Sequence, residues 1–231
     1  MWRHNLVALF HLLIDQLPDW LVRSDGYVAF RRRLSQTPRR YEATKKAARP
    51  FTPGEWKERK LATASTDLVI EGFPGSGNTF VSNTVREHVD GPCRIESHFH
   101  YTAQLRRALA FGVPAIVIVR QPLDACRSLQ GKEPALFPSL ILWRWLLYHR
   151  FVLRHAGRLE VFLFDDVIHD IDLVRRECSA VQALVDRPLT ANLEHRRASA
   201  TPPRIDVTTP LRRALLRRAA TLYEKFSTRG S

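Results

Sequence analysis

A glycine-rich loop between an apolar run and a helical segment constrains this chain more than any other feature. The apolar run 68–70 leads into Phe73-Pro-Gly-Ser-Gly-Asn-Thr-Phe80, and a segment with helical character follows as far as His88. A strand that ends in such a turn at a helix N-terminus presents unpaired backbone N–H groups and the positive end of the helix dipole. Those groups bind phosphate-like anions. The sequence therefore predicts an anion site at residues 73–80.

The loop differs at one position from the phosphate-binding loop of nucleotide enzymes. Residues 72–79 have the spacing Gly-x4-Gly-x-Thr, but Asn78 stands where a lysine normally reaches the β- and γ-phosphates. Transfer from ATP or GTP is therefore disfavoured. A small-molecule kinase stays open as an alternative, with Asp165 and Asp166 as its candidate Mg²⁺ ligands.

Positive charge is the second unusual feature. The 231 residues include 36 Lys and Arg against 23 Asp and Glu, a formal charge of +13. This balance favours polyanions, anionic membrane surfaces or small anionic ligands, and an arginine-rich solvated surface is the alternative explanation. No RRM, zinc-finger or compact helix-turn-helix signature is present, so no nucleic acid partner is expected. Three widely spaced cysteines form neither a disulfide framework nor a metal site, which favours a cytoplasmic protein.

Residues 1–60 are predicted to form a helical N-terminal extension and a basic arm. The apolar run 6–14 is far below the roughly 20 residues that span a bilayer, and no cleavage site follows it. It is expected to pack on the domain as an amphipathic helix or to make peripheral contact with a membrane surface. Residues 31–60, with three prolines and clustered basic residues, predict an irregular arm. Residues 61–231 are predicted to be one α/β domain.

Strands and helices alternate from residue 67 onward. Strands are predicted at 67–73, 94–98, 115–120 and 159–164, and helices at 78–89, 101–111, 122–130, 138–155, 168–185 and 210–226. Apolar strands separated by helices predict a three-layer α/β fold, with a central parallel sheet and helices on both faces. Ligand-binding loops then lie at the carboxyl ends of the strands. Arg144 and His149 within helix 138–155 indicate a buried core helix rather than a membrane span.

Three features fall at predicted strand ends, and together they resemble the sulfotransferase family. Its members move a sulfuryl group from 3′-phosphoadenosine 5′-phosphosulfate (PAPS) to an acceptor. The family's loop, an aromatic residue followed by Pro-Lys/Arg-Ser-Gly-Thr/Asn-Thr and a second aromatic residue, is similar to residues 73–80. Its second element, an Arg at a strand end with a Ser eight positions on, is similar to Arg120 and Ser128. The resemblance covers roughly residues 66–190 and implies a P-loop sulfotransferase-like fold.

The resemblance also implies a role for each of these residues. The 5′-phosphosulfate of PAPS would be held by Pro74, Gly75, Ser76, Gly77, Asn78, Thr79 and Phe80. Arg120 and Ser128 would hold the 3′-phosphate, which distinguishes PAPS from ATP. His98 would be the catalytic base for an acceptor hydroxyl or amine, since the ordinary pKa of histidine, about 6.5, lies near working pH. His100 is the alternative base. The scheme needs no metal and gives PAP, the desulfonated nucleotide, as product.

One position departs from the family pattern. Gly75 stands where the family loop usually carries the Lys or Arg that neutralises the leaving group. Another basic residue could supply that charge, and the candidates are Arg94, Lys132, Arg196 and Arg197. Otherwise the backbone suffices at a lower rate, or the protein binds nucleotide without catalysis. The acceptor is expected to be a small molecule, a lipid or a carbohydrate.

Overall fold

The computed structural model describes residues 61–132, 134, 136–191, 205 and 207–228. The predicted N-terminal extension, residues 1–60, lies outside this part of the chain. The strands are β1 (Leu68–Gly72), β2 (Ile95–Ser97), β3 (Ala115–Val119) and β4 (Glu160–Leu163). The helices are α1 (Asn78–His88), α2 (Thr102–Phe111), α3 (Pro122–Lys132), α4 (Pro138–Arg154), α5 (Phe164–His169), α6 (Asp172–Glu177), α7 (Ser179–Leu184) and α8 (Pro210–Ser227).

The four strands form one parallel sheet in the order β2-β1-β3-β4. Strand β1 pairs with β2 on one side, where Ile70 lies opposite Ser97, and with β3 on the other, where Val69 lies opposite Ala115. The chain therefore moves outward in one direction from β1 to β2, and in the other from β3 to β4. In open parallel sheets, ligands bind beside the carboxyl ends of the strands at such a reversal. The sheet thus places the predicted site between β1 and β3.

Alternate side chains of the strands enter two separate apolar clusters. Val69 and Val117 belong to the cluster formed with α2, α3, α4 and α8. Leu68 and Ile116 belong to the other cluster, which includes side chains of α1, α5, α6 and α7. Burial on both faces explains why these strands are continuous apolar runs. The predicted parallel sheet with helices on both of its faces is confirmed.

Helix α4 lies in the core, as predicted. Trp145, Tyr148 and His149 are buried, and Arg144 is only 7% exposed. Among the described residues, no helix is both long and apolar enough to cross a membrane. Arg144 and His149, two polar residues of this apolar helix, therefore lie inside the domain.

The prediction of a single helix over 168–185 is wrong. The chain forms three short helices there, because Asp170 and Cys178 have extended backbones, with ψ values of 92° and 106°. Backbone N–H groups that follow Asp170, including that of Asp172, donate to the Asp170 carboxylate. Such local bonds from an aspartate side chain compete with continuation of a helix. The apolar periodicity of the segment did not show this competition.

Candidate functional site

The glycine-rich loop opens with a tight turn. The Ser76 backbone N–H donates to the carbonyl of Phe73 at 3.0 Å, across Pro74 and Gly75. Gly75 has a φ of 86°, the positive value that a type II turn needs at its second central position. Gly77 follows with a φ of 81° and a ψ of 12°, immediately before α1. Gly75 and Gly77 therefore both supply left-handed backbone.

Helix α1 begins without a side-chain cap. Its N-cap residue is Gly77, and no side-chain cap hydrogen bond forms there among the described residues. The Ser76 hydroxyl beside it is fully buried and has no hydrogen-bond partner within the described part of the chain. Uncapped N–H groups, a helix dipole and an unpaired hydroxyl together favour a bound anion. The hydrogen-bond donors that the sequence predicts for an anion are therefore present at residues 76–80 in the structure.

The loop lies against α3 so closely that no side chain fits at position 75. A Cβ atom on Gly75 would lie 2.9 Å from both Cβ and Oγ of Ser128. A Cβ atom on Gly77 would lie 2.8 Å from the ring of Phe164. Both separations are shorter than real Cβ contacts. The absence of a loop Lys or Arg is therefore a packing requirement of this arrangement, and Ser128 lies directly beside the turn.

The Arg120 guanidinium is directed at the same turn. Its Nη1 atom donates to the Gly75 carbonyl at 2.8 Å, and its Cζ atom lies 4.3 Å from the ring centre of Phe164. Burial lowers the pKa of Arg120, while the charges of Asp124 and Asp165 raise it. An arginine keeps its charge at neutral pH despite such a shift. A partly buried cation therefore contacts the glycine-rich loop.

The other cations considered from the sequence lie elsewhere. Arg94 immediately precedes β2, so it is at the amino end of the sheet, opposite the loop. Lys132 is the last residue of α3. Residues 196 and 197 lie outside the described part of the chain. The cation found in contact with the loop is Arg120, which follows the neighbouring strand β3 and which the sequence assigned to the 3′-phosphate instead.

His98 is held between β2 and the start of α1. Its Nε2 lies 2.8 Å from Oγ1 of Thr79, and its Nδ1 lies 2.7 Å from Oγ of Ser97. The Arg86 guanidinium donates to the Ser97 hydroxyl at 3.1 Å. Each ring nitrogen thus meets a hydroxyl, which can either donate or accept. This arrangement orients the ring and connects the predicted base to the loop.

His100 and Asn78 brace the beginning of the loop. The Nδ1 atom of His100 lies 2.9 Å from the Gly72 carbonyl oxygen, and the Asn78 amide donates to the same oxygen at 3.1 Å. The side chains of Asn78 and His100 are themselves 3.3 Å apart. The residue at the lysine position of nucleotide loops is therefore used here to secure the end of β1. His100, the alternative base, shares that bracing role.

Sequence reasoning missed Glu71. Its carboxylate is fully buried and accepts from the backbone N–H groups of Phe99 at 2.6 Å and His100 at 2.9 Å. His98 and His100 have φ values of 66° and 59°, and they are the non-glycine residues with positive φ among those described. Such backbone costs on the order of 1–3 kcal/mol per residue. The only available signal was a carboxylate in an apolar strand, directly before the loop.

The predicted site residues meet at one edge of the sheet. The loop follows β1, His98 follows β2 and Arg120 follows β3. The Thr79–His98 and Gly75–Arg120 contacts join these three strand ends. No known protein family matches the chain, and no curated protein matches it either.

Proposed function

We propose that this protein is a sulfotransferase that transfers a sulfuryl group from PAPS to a hydroxyl or amine of an acceptor, giving PAP. One observation carries the proposal: Arg120 Nη1 lies 2.8 Å from the Gly75 carbonyl oxygen. This contact brings a partly buried cation to a glycine-rich helix N-terminus at the reversal point of a parallel sheet. Together with the sequence resemblance, it favours a P-loop sulfotransferase-like fold over other parallel α/β folds.

The residues present fit the anionic groups of PAPS. The loop offers backbone N–H groups, the buried unpaired hydroxyl of Ser76 and the hydroxyl of Thr79. Arg120 has five N–H donors, of which the Gly75 carbonyl engages one at Nη1. In the proposal the loop holds the 5′-phosphosulfate. Arg120, with Ser128 beside it, holds the 3′-phosphate by charge-assisted hydrogen bonds.

Sulfuryl transfer then needs hydrogen-bond donors that stabilise the leaving oxygen and a base that removes a proton from the acceptor. PAPS supplies a sulfuryl group whose transfer, like phosphoryl transfer, builds charge on the bridging oxygen. The N–H groups at the start of α1 and the Thr79 hydroxyl stabilise that charge. In the proposal the acceptor takes the place of Thr79 at Nε2 of His98, and that nitrogen then removes the acceptor proton, which leaves the Thr79 hydroxyl to donate to the leaving oxygen. A positioned base typically contributes about 10²–10⁴-fold.

The proposal extends to acceptor class and location. The acceptor carries a hydroxyl or an amine and is a small molecule, a lipid or a carbohydrate. Cys93, Cys126 and Cys178 are free thiols, which supports a reducing, cytoplasmic environment. The suggested membrane contact involves the N-terminal segment, which lies outside the described residues.

A thermal-shift comparison tests the nucleotide. PAP at 100 times its Kd is expected to stabilise the protein by about 2.7 kcal/mol. AMP, which lacks the 3′-phosphate, and ATP with Mg²⁺ are expected to do less at equal concentration. Stabilisation by ATP with Mg²⁺ and not by PAP would contradict the proposal and favour the kinase. A search for PAP release from PAPS with hydroxyl and amine acceptors then separates an enzyme from a non-catalytic nucleotide-binding protein.

A further inference from the structure

We infer that Glu71 is a positioning residue that sets the orientation of His98. Its effect on turnover rests on the proposed function. Its geometric part concerns this chain alone: a buried carboxylate fixes the turn at residues 98–100, and that turn directs the His98 ring at Thr79.

Both oxygens of the Glu71 carboxylate are engaged by the turn. Oε1 accepts from the Phe99 N–H at 2.6 Å, and Oε2 accepts from the His100 N–H at 2.9 Å. Hydrogen bonds to an ionised acceptor are shorter and stronger than those between neutral groups. Because the two donors are successive residues, one carboxylate fixes the orientation of the peptide units that follow His98.

These two hydrogen bonds, here called the Glu71 clamp, act on a turn whose backbone has unfavourable dihedral angles. His98 and His100 both have positive φ, at 66° and 59°. Residues with a Cβ atom leave this left-handed region readily unless their surroundings hold them there. A return of His98 to negative φ would rotate its side chain away from its present direction. The 2.8 Å contact between His98 Nε2 and Thr79 Oγ1 therefore depends on the clamp.

Folding alone gives little reason for a carboxylate at this position. The other side chains of β1 are apolar and belong to the two core clusters. A buried carboxylate is unfavourable unless hydrogen bonds compensate its lost hydration. His98, Phe99 and His100 are half-buried, so water could reach the turn if its N–H groups were not held. The cost of burying Glu71 is explained by the specific turn geometry that it imposes.

The test is the variant Glu71→Gln in the full-length protein. Glutamine keeps the side-chain shape but places an NH₂ group against one of the two N–H donors. We expect turnover to fall at least tenfold and the Kd for PAP to stay within twofold of the wild-type value. Hydrogen exchange at the Phe99 and His100 amides should accelerate at least tenfold. The ¹⁵N signals of the His98 ring should report a changed tautomer population.

Asp67→Asn is the matched control. Asp67 precedes β1, and its carboxylate accepts from the backbone N–H of Arg94, which precedes β2, at 2.8 Å. It joins the same two strands as Glu71 but lies at the amino end of the sheet, opposite the loop. This variant is expected to keep the slow amide exchange of Phe99 and His100 and turnover within twofold of wild type. Equal losses in both variants would mean that any carboxylate joining these strands matters, and would overturn the specific role of Glu71.

Three further outcomes are informative. A folded Glu71→Gln protein with unchanged turnover, His98 ring signals and amide exchange overturns the inference. If the wild-type protein fails to bind PAP, the proposed function fails, while the ring and amide measurements still decide whether Glu71 positions His98. If Glu71→Gln does not fold, Glu71→Asp keeps the charge but shortens the reach. Slow His100 amide exchange in that variant would overturn the inference, and accelerated exchange would support it.

Discussion

The Nε2 atom of His98 lies 2.8 Å from the hydroxyl oxygen of Thr79, so the candidate base and the candidate anion loop share a hydrogen bond. His98 follows β2 and Thr79 lies in the first turn of α1, which follows β1. The bond therefore spans two neighbouring strand ends. In the proposed function, proton removal and anion binding would therefore take place side by side.

Replacement of His98 by alanine separates these two roles. We expect His98→Ala to lower turnover by about 10²-fold or more, because the acceptor loses its base. The Kd for PAP should change less than threefold, since the backbone donors and Arg120 remain. Steady-state kinetics and calorimetric titration with PAP measure the two effects. The exposed His169→Ala serves as control; full activity in His98→Ala would assign the base to another residue.

Arg120→Ala tests the cation at the loop. A hydrogen bond to a charged group contributes about 1.5–3 kcal/mol, so the Kd for PAP should rise by about ten- to a hundredfold. Binding of AMP should weaken less, because it lacks the 3′-phosphate. Arg127→Ala, which removes a partly exposed ion pair with Asp124 within α3, is the control. Equal weakening of PAP and AMP would contradict the assignment of Arg120 to the 3′-phosphate.

Gly75→Ala tests the close approach of the loop to α3. Gly75 has a φ of +86°, and its added Cβ would meet Ser128 at 2.9 Å. Gly91 has a φ of +92° with nothing within 4 Å, so Gly91→Ala carries the backbone cost without the collision. We expect Gly91→Ala to cost about 1–2 kcal/mol of unfolding free energy. Overpacking should add about 1–3 kcal/mol for Gly75→Ala.

Urea denaturation of the two glycine variants provides this comparison. Equal losses of stability would show that Ser128 moves aside freely. A larger loss in Gly75→Ala would show that the loop and α3 are held together. The same contact predicts that Gly75→Lys, which restores the cation of the resembling family, does not increase activity.

We predict that the free energy of unfolding depends on pH through His149. It is fully buried in α4, stacked on Trp145 with ring centres 3.8 Å apart, and burial lowers its pKa to about 3. Below the ordinary pKa of about 6.5, the unfolded chain binds a proton that the folded chain does not. The His149 contribution therefore falls as pH decreases, by about 2 kcal/mol between pH 7 and pH 5.

Urea titrations of the wild-type protein and His149→Phe at several pH values measure this contribution. The variant should lack that part of the acid-induced loss, and the difference between the two proteins should be constant above pH 7.5. Parallel stability curves between pH 7 and pH 5 would show that the folded protein accommodates a protonated His149.

Apolar periodicity predicted the sheet well because its strands are buried on both faces. Strands β1 and β3 start and end within one residue of the predicted bounds. The segment after β4 was predicted poorly, since hydrogen bonds to the Asp170 carboxylate interrupt a pattern that otherwise indicates one helix. Side-chain competition of this kind leaves no periodic signal.

Motif spacing predicted which residues meet at the site, but not how they touch. The Gly75–Ser128 approach depends on the packing of α3 against a loop some fifty residues earlier in the chain. The role of Glu71 depends on N–H groups 28 and 29 residues further on. Contacts of this range follow from the packed sheet, and no local pattern contains them.

Because Arg120 reaches the loop from β3, the charge and the backbone donors belong to separate segments of the fold. A displacement of the turn by a few ångströms would separate the Arg120 guanidinium from the backbone donors of the loop. The affinity of the loop for an anionic ligand would then decrease. In the proposed function, release of PAP and loosening of the Arg120–Gly75 contact are therefore coupled steps. In an enzyme whose loop carried its own lysine, the two could occur independently.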